Sequence, residues 1–162
     1  MAVLDTNEIF YTTFQPKVKN QGIVYVDGVP SFMVYKMNKP AFSHPDKKID
    51  HINSYFTYAG KRKWEKATIT AYDPVTPSGA QAFMDWARLC YENVTGRMGY
   101  IDFYKKDIVY DDLGPVGDIV GEWIYKGAWI SNFKSGELDW TNEGDFQELT
   151  VEITYDYAVL NF

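Results

Sequence analysis

The sequence predicts a mainly β protein, an antiparallel β-sandwich or barrel with one flanking α-helix. Three observations predict it. Aromatic residues make up 17% of the 162 (13 Tyr, 10 Phe and 5 Trp), and such rings favour strands. Several short runs alternate apolar and polar residues, the pattern of a half-buried strand. One window alone shows helical spacing behind a capping signal. About seven strands around one helix is the arrangement these runs imply.

Taken in order, residues 1–20 have no sustained period and are broken by Pro16, so they read as an arm or a short edge element. Ile23 to Val26 is a β run, Asp27-Gly28 a turn signal, and Ser31 to Met37 a second run. Run, Asp-Gly and run predict a hairpin, with Pro30 disturbing its register. Residues 39–48 hold two prolines and little hydrophobic pattern, which predicts a loop. Residues 49–59 return to strand-like content, with Ile52, Phe56 and Tyr58 alternating only loosely. Lys61-Arg62-Lys63 is the one basic run. Ala67, Ile69 and Ala71 then alternate with Thr68, Thr70 and Tyr72, at strand spacing.

The helix is predicted from about Ser78 to Val94. Ser78 with Gln81 three residues later forms a capping box. Phe83, Ala87, Cys90 and Val94, with Met84 and Tyr91, make one apolar stripe, and Gly96 supplies a left-handed stop. Strand-like runs follow at Tyr100 to Tyr104 and Ile108 to Tyr110. Another spans Glu122 to Ile130, with Trp123, Tyr125 and Trp129 on one face. From Glu148 to Tyr157 the alternation is clearest: Leu149, Val151, Ile153, Tyr155 and Tyr157 against Glu148, Thr150, Glu152, Thr154 and Asp156.

Composition narrows the function. Sixteen Lys and Arg against 22 Asp and Glu leave a net charge of −6, contrary to the basic stripe of a dedicated nucleic-acid binder. The single cysteine, Cys90, excludes an intrachain disulfide or a cysteine-built zinc site, and its place on the helical stripe makes it a buried thiol. No run approaches the ~18 apolar residues of a membrane span, and the first residues do not read as a secretory signal. His44, Asp46, Asp50 and His51 lie close in sequence but lack the spacing of a helical metal-binding pair. Asp111, Asp112 and Asp118 lack calcium-loop spacing. Asn93-Val94-Thr95 matches a glycosylation acceptor by chance. No nucleophile elbow or phosphate-binding glycine loop occurs. These readings predict no enzyme, metal or cofactor, and a protein whose function is its surface.

Three function classes compete on the residues alone. One is a self-assembling structural subunit. The second is a glycan-binding sandwich with Trp123, Tyr125 and Trp129 as a stacking platform. The third is a small β-barrel enzyme using Glu148 and Glu152, whose spacing of about 13 Å along a strand exceeds that of paired glycosidase carboxylates.

Several motifs in fixed order sharpen the choice: MAVLDTNEIFYTTFQPKVKN at residues 1–20, YVDGVP at 25–30, DHIN at 50–53 and YDPVTPSGAQAFMDW at 72–86. VTGRMGYIDFYKKD at 94–107, LGPVGD at 113–118, the KGAWI around Trp129 and YDYAVLNF at 155–162 complete them. With these motifs the chain resembles the tail tube proteins of contractile-tailed bacteriophages over most of its length. Related tube subunits of bacterial contractile injection systems are the near alternative.

The resemblance implies one tail-tube domain over residues 1–162, with residues 1–20 as an arm; the Pro-containing start and weak alternation of residues 39–58 predict an extended loop that packs on a neighbouring subunit. It implies a virion protein, assembled in the host cytoplasm, whose hexameric rings stack into a hollow tube for DNA ejection. Its partners would be itself, the sheath, and the baseplate and tail-terminator proteins. The tape measure and passing DNA would be met transiently, and no membrane would be bound. Candidate subunit contacts are Phe42, His44, Asp46, Lys48, His51, Phe56 and Tyr58, with Lys61 and Arg62 beside them. Candidate lumen residues are Glu148, Glu152 and Asp156, with the outer surface an equal alternative.

Overall fold

A computed structural model of the protein describes residues 13–162, so most of the predicted arm lies outside the described residues. The architecture is mainly β and antiparallel, with one main helix, as expected. The principal sheet runs β1 (Gly22–Val26), β8 (Lys106–Leu113), β9 (Ile119–Lys134), β10 (Glu148–Thr154), β7 (Ala67–Tyr72) and β2 (Val34–Met37), with β11 (Tyr157–Leu160) also paired to β9. Two small sheets stand apart: β3 (Phe42–Ser43) with β6 (Lys63–Trp64), and β4 (Asp46–His51) with β5 (Ser54–Ala59).

The main sheet curls until its end strands face one cleft, which both β1 and β2 line. Two contacts span the curl. The Tyr125 hydroxyl on β9 donates to the Asn38 carbonyl just past β2 (2.5 Å), and Lys39 reaches Asp112 on β8 at 2.8 Å. Inside lie Val24, Ile69, Ile108, Tyr125, Leu149, Val151 and Ile153, all buried. They arrive there by alternation, since successive strand residues point to opposite faces.

The predicted hairpin between the first two runs does not form. β1 pairs with β8 and β2 with β7, at opposite ends of the sheet. Pro30 opens a single 3₁₀ turn, Ser31–Met33, that buries Met33 and carries the chain away before a ladder can start. Residues 39–48 are not all loop, because β3 and the start of β4 fall within them. Tyr100 to Tyr104 is not a strand either: Ile101–Tyr104 is one helical turn, α2.

The predicted last strand is nearly continuous. β10 and β11 run along the same edge of β9, interrupted at Tyr155 and Asp156. Opposite the interruption Gly127 takes φ +65°, a left-handed conformation that glycine adopts without a Cβ penalty. The break re-aims the chain. Tyr155 stays buried, but Tyr157 is half exposed rather than in the core. Tyr125 is fully buried, so Trp123, Tyr125 and Trp129 form no exposed stacking platform.

The main helix, α1 (Gly79–Cys90), is shorter than predicted. Phe83 and Trp86 are its buried residues with Gly79, whereas Val94 is 93% exposed because the chain has left the helix at Tyr91. The cap is half a box. Ser78 Oγ accepts from the Gln81 amide (3.3 Å), but the Gln81 side chain turns to Asp85 (2.8 Å) instead of back. Asp73 caps two other amides of the first turn, accepting from Gly79 and Ala80 at 3.1 and 3.2 Å. With Asp73 still in place, Ser78→Ala is expected to cost only ~1 kcal/mol, read by chemical denaturation. A loss several times larger would mean Asp73 depends on Ser78.

Candidate functional site

Five of the nine candidate contact residues fall on the β4–β5 hairpin and the other four at its base. β4 and β5 pair only with each other, from Asp46 opposite Ala59 to His51 opposite Ser54, and every residue in both strands is exposed. Directly opposed residues share a face, which sorts the side chains. Ile49 opposite Phe56 and Lys47 opposite Tyr58 build one face, with His51 at its tip. Asp46, Lys48, Asp50 and Tyr55 build the other, where Lys48 pairs with Asp50 at 2.9 Å and sits 4.3 Å above the Tyr55 ring. One face is therefore open and carries Ile49, Phe56 and Tyr58 beside Lys47 and His51, and on the other Lys48 is satisfied by Asp50 and Tyr55. Sequence reasoning missed Ile49, and the cross-strand register with Phe56 is the signal that identifies it.

The base of the hairpin is braced. The Gly60 amide donates to the Pro45 carbonyl at 2.7 Å, closing the neck. His44 Nδ1 lies 3.2 Å from the Gly60 carbonyl, and Arg62 Nε donates to His44 Nε2 at 3.1 Å. The Arg62 guanidinium stacks 4.0 Å above Phe42, which packs on Trp64. Trp64 meets Tyr155, and Tyr155 meets Tyr125, so a chain of rings leads from the hairpin base into the core. Phe42, His44 and Arg62 thus hold the base together, while Asp46, Lys48, His51, Phe56 and Tyr58 stand on the projecting part. Lys61 is exposed beside the neck.

The candidate lumen residues divide. Glu148 and Glu152 lie on the outward face of β10, with Leu149, Val151 and Ile153 buried behind them. Glu148 accepts a short hydrogen bond from the Tyr35 hydroxyl, and this contact, first among the causes, pushes the Tyr35 pKa up to about 12. Tyr35 also packs on Tyr72 with ring centroids 4.4 Å apart. Glu152 lies opposite Thr68 on one side and Asn132 on the other. Asp156 does not share their strand. It sits in the break after β10, paired with Lys105 at 2.8 Å, so its charge is offset locally. Thr68, Thr70 and Thr150 share the outward face, which is hydroxyl-rich rather than a row of acids.

A carboxyl the sequence treated as solvated is buried. Asp111 on β8 is 4% exposed, lies opposite Glu122 and leaves Oδ1 without a hydrogen-bond partner. Burial first, then Glu122 and Asp112, raise its pKa. A raised folded-state pKa means the ionised form destabilises the fold above that pKa, and the cost vanishes as pH falls below the ordinary carboxylate range. Asp111→Asn should therefore raise the melting temperature at pH 7 and lose that advantage progressively as pH falls to about 3. An equal effect at both pH values would contradict the assignment.

Among the described residues no group of three or more His, Cys, Asp or Glu side chains is placed to hold a metal ion. None of the described helices is long and apolar enough to cross a membrane. Cys90 is only half-buried, less enclosed than its stripe implied.

No protein-family model matches the chain. In sequence it is 26% identical over 113 residues to the tail tube protein gp19 of Enterobacteria phage T4, across 67% of this chain and 68% of that protein. The chain resembles phage tail tube proteins. The tail tube protein gp19 of Enterobacteria phage T6 matches to the same extent. Among solved structures, the tube-terminating cap of the anti-feeding prophage superposes with a TM-score of 0.75 over 98% of this chain and 99% of that one, at 12% identity. The sheath/tube terminator of an extracellular contractile injection system reaches 0.75 over 93% and 100%, at 16% identity. The structural neighbours share the fold, and the tail tube relatives support a structural tail-tube role and placement in a phage tail.

Proposed function

We propose that copies of this chain, each acting as one tail-tube domain, close into hexameric rings that stack into a hollow tube through which DNA is ejected. The observation that carries this is the β4–β5 hairpin. A two-stranded hairpin with no third strand or helix on it is marginal in water. Its face of Ile49, Phe56 and Tyr58 is open to solvent in the single chain. Exposed apolar surface on a projecting element marks an interaction site, and a neighbouring copy covers it here. Heterologous contacts of this kind close into rings when the rotation permits. The sheath lies outside such a tube, baseplate and terminator proteins cap its ends, and the tape measure and DNA pass within. The subunit is structural and needs no catalytic centre.

Negative-stain microscopy of the concentrated protein is the test. Rings or hollow rods are expected, and uniform monomers at every concentration would overturn the proposal. An injection-system tube would build the same rods but convey no DNA, so variant phage separate the two readings. With the outward face of β10 on the lumen, Glu152→Lys should leave tubes intact and slow ejection, most at low salt, where the field over ~10 Å is least screened. Normal tubes with unchanged ejection kinetics would move Glu152 off the DNA path.

A further inference from the structure

The loop joining β9 to β10, residues 135–147, is exposed throughout. It carries Glu137, Asp139, Glu143 and Asp145 and no Lys or Arg. Trp140 near its middle is 89% exposed and Leu138 74%. The loop is nevertheless held in shape. The Asp139 carboxylate accepts from the Thr141 amide and hydroxyl at 2.9 and 2.7 Å, and the Asn142 side-chain oxygen accepts from the Gly144 and Asp145 amides at 3.2 and 3.1 Å. Phe146 packs on Tyr72, with ring centroids 4.9 Å apart, and fixes the return to β10. A preorganised loop loses little freedom on docking. A Trp ringed by polar groups has the make-up of an interface anchor.

The same chain offers a surface of opposite character. The cleft between β1 and β2, about 930 Å³, is lined by Lys17, Lys19, Lys36 and Lys39 against the single carboxylate of Asp112. Asp112 is already held by Lys39 at 2.8 Å and approached by Lys17 at 3.7 Å. Lys19 and Lys36 are exposed and make no ion pair among the described residues, nor do the four carboxylates of the loop. The apolar lining includes Val24, Val34 and Met37, with Phe32 66% exposed. A volume of this order accommodates several side chains.

We propose that the β9–β10 loop docks in the basic cleft of a neighbouring copy, Trp140 and Leu138 on its apolar lining and the loop carboxylates against Lys19 and Lys36. The inference rests on the self-assembly reading and gives it a second contact, separate from the hairpin. Charge selects the occupant: in a chain of net charge −6, a cleft of four lysines and one aspartate meets a loop of four acids and no base. The loop does not serve its own chain in this way. Phe146 touches Tyr35 at the cleft rim, 6.2 Å between centroids, yet no residue of the loop lines that cleft and Trp140 stays in solvent. A knob and a socket on different patches of one molecule make a head-to-tail contact, which can close a ring or extend a filament.

Disulfide trapping between full-length chains tests this, in a Cys90→Ser background. Copies carrying Leu138→Cys are mixed with copies carrying Ser31→Cys, in the cleft wall, the two differing in a size tag so that mixed dimers separate from like pairs. Mixed dimers are expected at about tenfold the yield obtained when Val94→Cys, exposed and outside the cleft, replaces Ser31→Cys. Trp140→Ala in the loop copy should lower that yield about tenfold. Lys19→Glu with Lys36→Glu in the cleft copy should do the same, and Glu137→Lys with Glu143→Lys in the loop copy should then restore it. Yield equal to the Val94→Cys control, or insensitivity to the charge reversal, overturns the proposal. So does a disulfide that forms only within one chain bearing both cysteines. Rods from the wild-type protein with control-level crosslinking would sink this contact and leave the ring reading standing. Absence of rods with the crosslink present would sink the ring reading and leave this contact.

Discussion

Replacing Phe83 with Ala is expected to lower the stability of the unassembled subunit by ~3–5 kcal/mol. Phe83 is fully buried at the centre of α1 and belongs to the cluster formed by the inward faces of β7, β9 and β10. Removing the ring takes away its transfer free energy and leaves a cavity that a sheet on one side cannot collapse to fill. Trp86, one turn further on, is pinned by its indole N–H to the Tyr104 carbonyl at 2.7 Å, so the helix cannot easily slide to compensate. In a chain of this size, ~3–5 kcal/mol corresponds to a fall in melting temperature of about 6–20 °C. Val94→Ala serves as the control. It lay on the same predicted stripe, but it is exposed past the helix end, and a change within ~0.5 kcal/mol is expected. Equal melting temperatures for Phe83→Ala and wild type would remove α1 from the core.

The contrast between Phe83 and Val94 shows where sequence reading stops. The stripe continues at helical spacing to Val94, but the chain leaves the helix at Tyr91, which bridges to Met98. That choice depends on a partner seven residues away, which periodicity does not record. β10 and β7 were legible because each is buried on one face only, and that asymmetry writes period two into the residues. The β1–β2 pairing was misread because Asp27-Gly28 is a local signal, whereas pairing was decided by β8 and β7, far along the chain. The break between β10 and β11 was invisible because it needs Gly127 on the facing strand. At the candidate site, odd, weak alternation set the segment apart and picked out Asp46, Lys48, His51, Phe56 and Tyr58 from the twelve residues of the two strands. It could not sort them by face, because within the single chain both faces of the hairpin meet water. Asp156 was grouped with Glu152 because the alternation continues through the break after β10, although Lys105, from a distant segment, already holds it.

Excising the hairpin is expected to abolish tubes while sparing the fold. Pro45 and Gly60 already meet through a 2.7 Å hydrogen bond, so a short glycine-serine turn can replace residues 46–59 without moving β3 or β6. The removed residues bury nothing in the core and pair only among themselves. The melting temperature of the subunit should therefore shift by no more than about 2–4 °C, the equivalent of ~1 kcal/mol. Assembly should fail, because the Ile49, Phe56 and Tyr58 face is lost with the hairpin. A milder variant separates the two faces. Phe56→Ser with Tyr58→Ser should suppress rods nearly as well, whereas Lys48→Ala, which breaks an exposed pair worth at most ~1 kcal/mol, should leave them intact. Sedimentation and negative-stain counts on the same preparations read both quantities. Wild-type rods from the excised chain would transfer the assembly role to other surfaces. Rods lost with Lys48→Ala but kept with the double serine variant would put the contact on the polar face.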